Sequence, residues 1–241
     1  MNGWLNPAQR RRADQLISVF ENGSTVIDYA FAENLHDGRG LTAGRAGFTT
    51  ATGDALDVVS SLGTGCLEEL RSFLPELRRL ALFESDDTTG LPEIDFINAW
   101  RAASADQRFR DAQDRIVDRE YYEPAMRIAD ELGIDSPLAR AQIYDAAIQH
   151  GVGDDSDSLS ALIERTIPKG TGSADAEAEW LDDFFAVRVA ALRAPASPAT
   201  AAVWRVSVDR VHCMRRLASL GNRNLDGPFE AEVFGSRFTI V

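Results

Sequence analysis

Apolar positions recur at helical spacing along most of the chain, and the exceptions fall in a few short stretches. Ala13, Leu16, Ile17 and Phe20 form the first apolar stripe. Asn6 can cap this helix, Pro7 suits its first turn, and Gly23 in "ENG" offers a left-handed stop. The helical period lapses over residues 26–50. There "VIDYAFAENL" reads as a short strand, "HDGRG" as a turn and "LTAGRAGFTT" as a second extended piece. Helical spacing returns in "DALDVVSSL", from Asp54, and in "CLEELRSFLPELRRLALF", which Pro75 kinks or divides.

After the polar loop "ESDDTTGLPE", a long helical stretch runs through "DQRFRDAQDRIVDREYY" to a break at Pro124. "SPLARAQIYDAAIQHG" has capping chemistry at its start and Gly151 as its stop, and two further helices are expected over about 176–194 and 199–219. The tail "EAEVFGSRFTIV" reads as a terminal strand. The pattern predicts a mainly α (α+β) protein: one two-lobed unit over residues 1–241, with a small β-sheet near residues 26–50.

Composition narrows the function classes. The net charge of −13 argues against a nucleic-acid surface and suits a cationic or neutral partner. No apolar run approaches the roughly 20 residues of a membrane span. The N-terminus lacks an apolar signal core, which fits a cytosolic protein or a secreted one numbered after processing. Cys66 and Cys213 could form one disulfide or remain two buried thiols. Three scattered histidines show no metal-ligand spacing, and "GTG" at 63–65 lacks the lysine of a phosphate loop.

The segment "ENLHDGRGLTAGRAGFTTATGD", residues 33–54, packs five glycines among three carboxylates, two arginines, a histidine and four threonines. Such density points to unusual backbone or to something approaching it closely. Two carboxylates nearby suit acid/base chemistry. Glu21 ends the first helix, where the helix dipole disfavours a second negative charge, the condition a proton donor needs. Asp37 lies in the "HDGRG" turn, accessible to water. One acid kept protonated and one kept ionised is what hydrolysis of a glycosidic bond requires. Taken singly, each also reads as an ordinary helix-end or turn residue.

Taken together, "ENGSTVIDYAFAENLHDGRGLTAGRAGFTTATGD" resembles the chitosanases of glycoside hydrolase family 46. "DREYYEPA" (118–125) and "YDAAIQHG" (144–151) are similar to two further segments of that family, and "GNRNLDGPF" is a looser echo. The resemblance implies a lysozyme-related fold with a substrate cleft between two helical lobes. It also implies endo-hydrolysis of β-1,4-linked glucosamine polymer with inversion. By position, Glu21 matches the general acid, Asp37 the general base and Thr42 the threonine that helps hold the attacking water.

Matched substrate contacts are Glu33, Arg39, Asp54, Tyr121 and His150. The alternatives are that Arg39 pins the loop, Asp54 caps a helix, Tyr121 belongs to the core and His150 caps a helix end. Acidic contacts suit a polymer whose sugars carry ammonium groups. A charge network behind the acid is implied for Asp145, Arg188 and Arg205, with Arg210 as the rival of Arg205. The sequence departs from the family at Phe31, His36 and Leu41, and in the "VGDD" loop after His150-Gly151. These departures leave linkage preference open.

The implied partner is chitosan or its oligosaccharides, met outside the cell by a monomer without cofactor or metal. Two other readings compete: a lysozyme-like hydrolase of peptidoglycan or chitin, and a non-catalytic chitosan-binding protein. The acidic charge disfavours the anionic wall as substrate, and retention of Glu21, Asp37 and Thr42 together disfavours the non-catalytic reading.

Overall fold

Helix α1 (Pro7–Asn22) begins and ends on the signals its sequence carries. The Asn6 side chain accepts from the Ala8 and Gln9 N–H groups, the Gln9 side chain accepts from the Asn6 N–H, and Gly23 closes the helix at φ 65°. The structure is a computed structural model that describes residues 4–63, 67–167, 173–196 and 201–241. The chain divides into two compact units, residues 27–119 and residues 1–26 with 120–241.

In the unit of residues 27–119, a three-stranded antiparallel sheet has the order β1 (Ala32–Asn34), β2 (Leu41–Ala43), β3 (Phe48–Thr49). The strands are much shorter than the extended stretches expected. "VIDYAFAENL" yields three strand residues because the Asp28 side chain accepts from the Ala30 N–H and turns the chain before Phe31. "LTAGRAGFTT" is divided by a turn in which the Gly47 N–H bonds the Gly44 carbonyl at 3.2 Å. A Cβ on Gly44 would lie 2.5 Å from Gln113 Oε1 and 2.9 Å from the Trp100 ring, so here the backbone itself packs against the core.

Helices α2 (Asp54–Ser60), α3 (Glu68–Arg71), α4 (Leu74–Leu82), α5 (Glu93–Ala103) and α6 (Gln107–Val117) complete this unit. Pro75 divides α3 from α4, standing in the first turn of α4 where its missing N–H costs nothing. The core centres on Trp100, whose ring meets Phe48, Phe96 and Phe109 at centroid distances of 6.5, 5.8 and 4.9 Å. Its indole N–H donates to the Tyr29 carbonyl at 3.1 Å, so the largest side chain there is satisfied.

In the other unit, Pro124 stands in the first turn of α7 (Glu123–Leu132), after a π-helical turn at Asp118–Tyr122. Helices α8 (Pro137–His150), α9 (Leu159–Arg165), α10 (Ala174–Arg193) and α11 (Ala201–Ser219) follow. Helix α8 has no single apolar stripe. Arg140, Gln142, Asp145 and His150 are buried along with Leu138, Ile143 and Tyr144, as expected of a helix enclosed on all sides. The C-terminal tail is a hairpin rather than one strand, with β4 (Phe229–Val233) paired to β5 (Ser236–Ile240) around Phe234 and Gly235. Cys213 is a buried thiol, and burial pushes it up to about 12. Cys66 lies outside the described residues.

Candidate active site

Asp37 sits in the loop joining β1 to β2, whose base is fixed by the pairing of Asn34 with Leu41. His36, Gly38 and Gly40 all have positive φ, and these left-handed residues bend the loop tightly around the aspartate. Arg39 closes on Asp37: its N–H reaches Oδ1 at 3.1 Å, and Nε and Nη2 reach Oδ2 at 3.0 and 2.6 Å. Partial burial pushes the Asp37 carboxyl up, but these bonds and the guanidinium charge bring it below the ordinary aspartate value. These contacts pin the loop.

Glu33, Thr42 and Thr49 lie directly opposite one another across the three strands, so their side chains share one face of the sheet. Glu33 is exposed there. Thr42 is only 4% exposed, and its Oγ1 has no hydrogen-bond partner among the described residues. A buried hydroxyl without a partner is costly unless water or ligand completes it. From Thr49 a hydroxyl chain runs onward. Thr49 Oγ1 and Thr52 Oγ1 are 2.6 Å apart, and Thr52 Oγ1 donates to Asp54 Oδ1.

Asp54 does not cap a helix. Gly53 occupies the cap of α2 without any side-chain bond, and Asp54 is the first residue inside the helix. Burial, ahead of its hydrogen bonds, raises the Asp54 carboxyl above the ordinary aspartate value.

In the other unit, Glu21 occupies the last turn of α1 with its side chain 35% exposed. Arg210 bridges it to the interior, with Nη2 2.8 Å from Glu21 Oε1 and 2.6 Å from Asp145 Oδ1. Asp145 is fully buried and takes a second guanidinium on Oδ2, from Arg188 Nη1 at 2.7 Å. Burial alone would raise the Asp145 carboxyl, but Arg210 and Arg188 outweigh it and hold the group below the usual aspartate value. Arg188 Nη2 also donates to Gln149 Oε1 at 2.9 Å.

One expectation needs correction. Arg205 lies outside this network: it is exposed, and its Nε reaches the Arg193 carbonyl at 3.4 Å, while Arg210 takes the bridging position. His150 is 8% exposed and both ring nitrogens are engaged within the unit, so the contacts it makes here are those of a network member. Its Nδ1 lies 2.9 Å from the Asp157 carbonyl, which can only accept, so Nδ1 carries the proton and Nε2 accepts from Arg188 Nε at 3.4 Å. Burial, with the charges of Arg188 and Arg210, pushes the imidazole down to about 2, and it stays neutral. Trp204 packs edge-on against it at 5.0 Å. Tyr121 lies in the π-helical turn and is half-buried.

Sequence reasoning passed over Gln149 and the Thr49–Thr52 chain. Gln149 immediately precedes His150 in the quoted "YDAAIQHG", and "TTAT" stands in the quoted glycine-rich segment. Both were therefore legible as neighbours of residues already singled out.

Comparison with known proteins shows the family. Residues 15–229 match Glycosyl hydrolase family 46. A chitosanase of Bacillus subtilis strain 168 is 51% identical over 228 residues, covering 93% of this chain and 82% of the relative. A crystal structure of a mutant chitosanase from Bacillus subtilis MY002 complexed with 6 GlcN is similar with a TM-score of 0.88 at 48% identity, over 98% of this chain and 100% of that one. A family 46 chitosanase from Gynuella sunshinyii in complex with chitotetraose gives a TM-score of 0.89 at 41% identity, over 98% and 99% of the two chains. With its helices, its small antiparallel sheet and most of its length matched, the chain belongs to glycosyl hydrolase family 46.

Proposed function

We propose that this chain is an endo-chitosanase that hydrolyses β-1,4 bonds between glucosamine units with inversion. Glu21 is the general acid, and Asp37 is the general base acting on a water held by Thr42. The observation that carries the substrate is that a structure 48% identical to this chain, matched over its whole length, holds 6 GlcN.

The chemistry of the site supports the roles. Arg39 keeps Asp37 ionised, as a base must be before it takes a proton. The open hydrogen-bonding capacity of Thr42 Oγ1 suits a bound water. Arg210 holds one oxygen of Glu21 and leaves the other carboxyl oxygen to face the leaving group. Inversion requires the acid and base to stand roughly 6.5–9.5 Å apart with water between base and anomeric carbon.

Glu33, Asp54 and Tyr121 contact the sugars in this reading. Asp54 is half-buried and raised by that burial, so a glucosamine ammonium would supply the missing countercharge and discriminate against the acetylated sugar. The enzyme acts as a monomer outside the cell, where the polymer lies. Two carboxyls and water suffice for the reaction, so it calls for no cofactor.

The test is product analysis of highly deacetylated chitosan incubated with wild type, Glu21→Gln and Asp37→Asn. Short oligosaccharides first formed as the α-anomer are expected, with each variant slowed by roughly 10²-fold or more. Activity on peptidoglycan or chitin but not chitosan would overturn the substrate. Tight binding of chitosan without cleavage would overturn the catalytic roles.

A further inference from the structure

Asp37 is held from a second side, through the backbone just before it. Asn34, the last residue of β1, accepts from the His36 N–H on Oδ1 at 3.0 Å and donates through Nδ2 to Glu93 Oε1 at 2.7 Å. Thr88 Oγ1, in a 3-10 turn at Thr88–Gly90, donates to the same Glu93 oxygen at 2.7 Å. Glu93 is the first residue of α5, and the bonds from Thr88 and Asn34 hold its carboxyl below the ordinary glutamate value. His36 is a non-glycine residue at φ 52°, a conformation that persists only when its surroundings fix it.

We infer that Glu93 is a positioning residue for Asp37: through Asn34 it clamps the left-handed turn at His36 and so sets where the aspartate carboxylate points. The inference rests on the reading of Asp37 as the base. A glutamate in the first turn of a helix usually serves the dipole of its own helix. Here Oε1 is committed to Asn34 and Thr88, and α5 has no side-chain cap bond. The amide of Asn34 is correspondingly bifunctional: one end reads the carboxylate, the other grips the loop. Arg39 grips the aspartate beyond that turn, so the loop is fixed on both sides of the reacting group.

The test is steady-state kinetics on chitosan for Glu93→Ala, Glu93→Gln, Asn34→Ala and the Asn34→Ala/Glu93→Ala double variant, with melting temperatures alongside. Glu93→Ala is expected to lower kcat by about ten- to a hundredfold with KM within about twofold, the signature of a misaimed group and not of lost binding. Glu93→Gln keeps an oxygen that accepts both bonds and should recover most of kcat. The double variant should be no worse than the poorer single one, because both changes cut one chain.

Wild-type kcat in Glu93→Ala, or a loss that Gln does not rescue, overturns the inference. If Glu93→Ala does not fold, Asn34→Ala decides in the same way. Adding Glu93→Ala to Asp37→Asn separates the two readings. No further loss in that background supports the clamp, whereas an additional loss of full size overturns it. Full activity of Asp37→Asn alone would remove the base assignment itself.

Discussion

Arg205 and Arg210 stand five positions apart on α11, about 140° around the helix axis, so they face different surroundings. Arg210 shares its stripe with Met214 and Leu217, at four- and seven-residue spacing, and both are buried. That spacing was readable beforehand: an arginine in line with an apolar stripe points inward and must find carboxylates. Helical phase distinguishes the two arginines where the family resemblance left both open. Arg210→Ala should lower kcat by about a hundredfold or more, since it frees Glu21 and leaves Asp145 short of one cation. Arg205→Ala should stay within about threefold, as expected of an exposed side chain that, among the described residues, reaches a single backbone carbonyl. Kinetics of the two variants side by side checks this, and equal losses would return Arg205 to the network.

At the scale of elements, the signals that act locally were the legible ones. The Asn6-Pro7 start and Gly23 stop of α1, and the Ser136 start and Gly151 stop of α8, are satisfied by neighbours within a few residues. Strand lengths in residues 26–50 were overestimated because turn chemistry at Asp28 and Gly44 overrides the extended pattern. The contacts of His150 were hidden for the opposite reason: Arg188 and Trp204 come from distant parts of the chain.

The same helix supplies a pH prediction. The folded Asp145 carboxyl lies below its ordinary value, so its stabilisation is fully present above about pH 3.9 and is lost as pH falls through the folded value. Asp145→Asn should cost roughly 3–5 kcal/mol at neutral pH and flatten the decline in stability below about pH 4. Urea midpoints of both proteins between pH 7 and pH 2 measure this. Parallel curves would show that Asp145 does not contribute.

For the whole molecule, the charge of −13 bears on encounter with the polymer. A polycation approaching a strongly acidic protein is steered by a field that added salt screens over about 10 Å at 0.1 M. KM for chitosan should therefore rise several-fold between low salt and about 0.3 M while kcat changes little. A KM independent of salt would confine recognition to short-range contacts such as those proposed for Glu33 and Asp54. Composition made this much legible without any structure. It could not reveal which carboxylates matter, because the 38 acidic residues are spread along the sequence and only folding sorts them.

One unit is continuous in sequence, residues 27–119, and the other joins residues 1–26 to residues 120–241. During synthesis the sheet, the Asp37 loop and its Glu93 clamp have every partner they need once residue 119 has left the ribosome. Helix α1, made first, must wait: Glu21 meets its cation only after Arg210 emerges, and Asp145 goes without both of its guanidinium partners until residues 188 and 210 exist. The half carrying the proposed base can therefore take shape while the chain is being translated. The half carrying the proposed acid can close only near the end of translation, because a nascent chain stopped just short of Arg210 leaves Asp145 with one of its two guanidiniums and Glu21 without the cation that holds it.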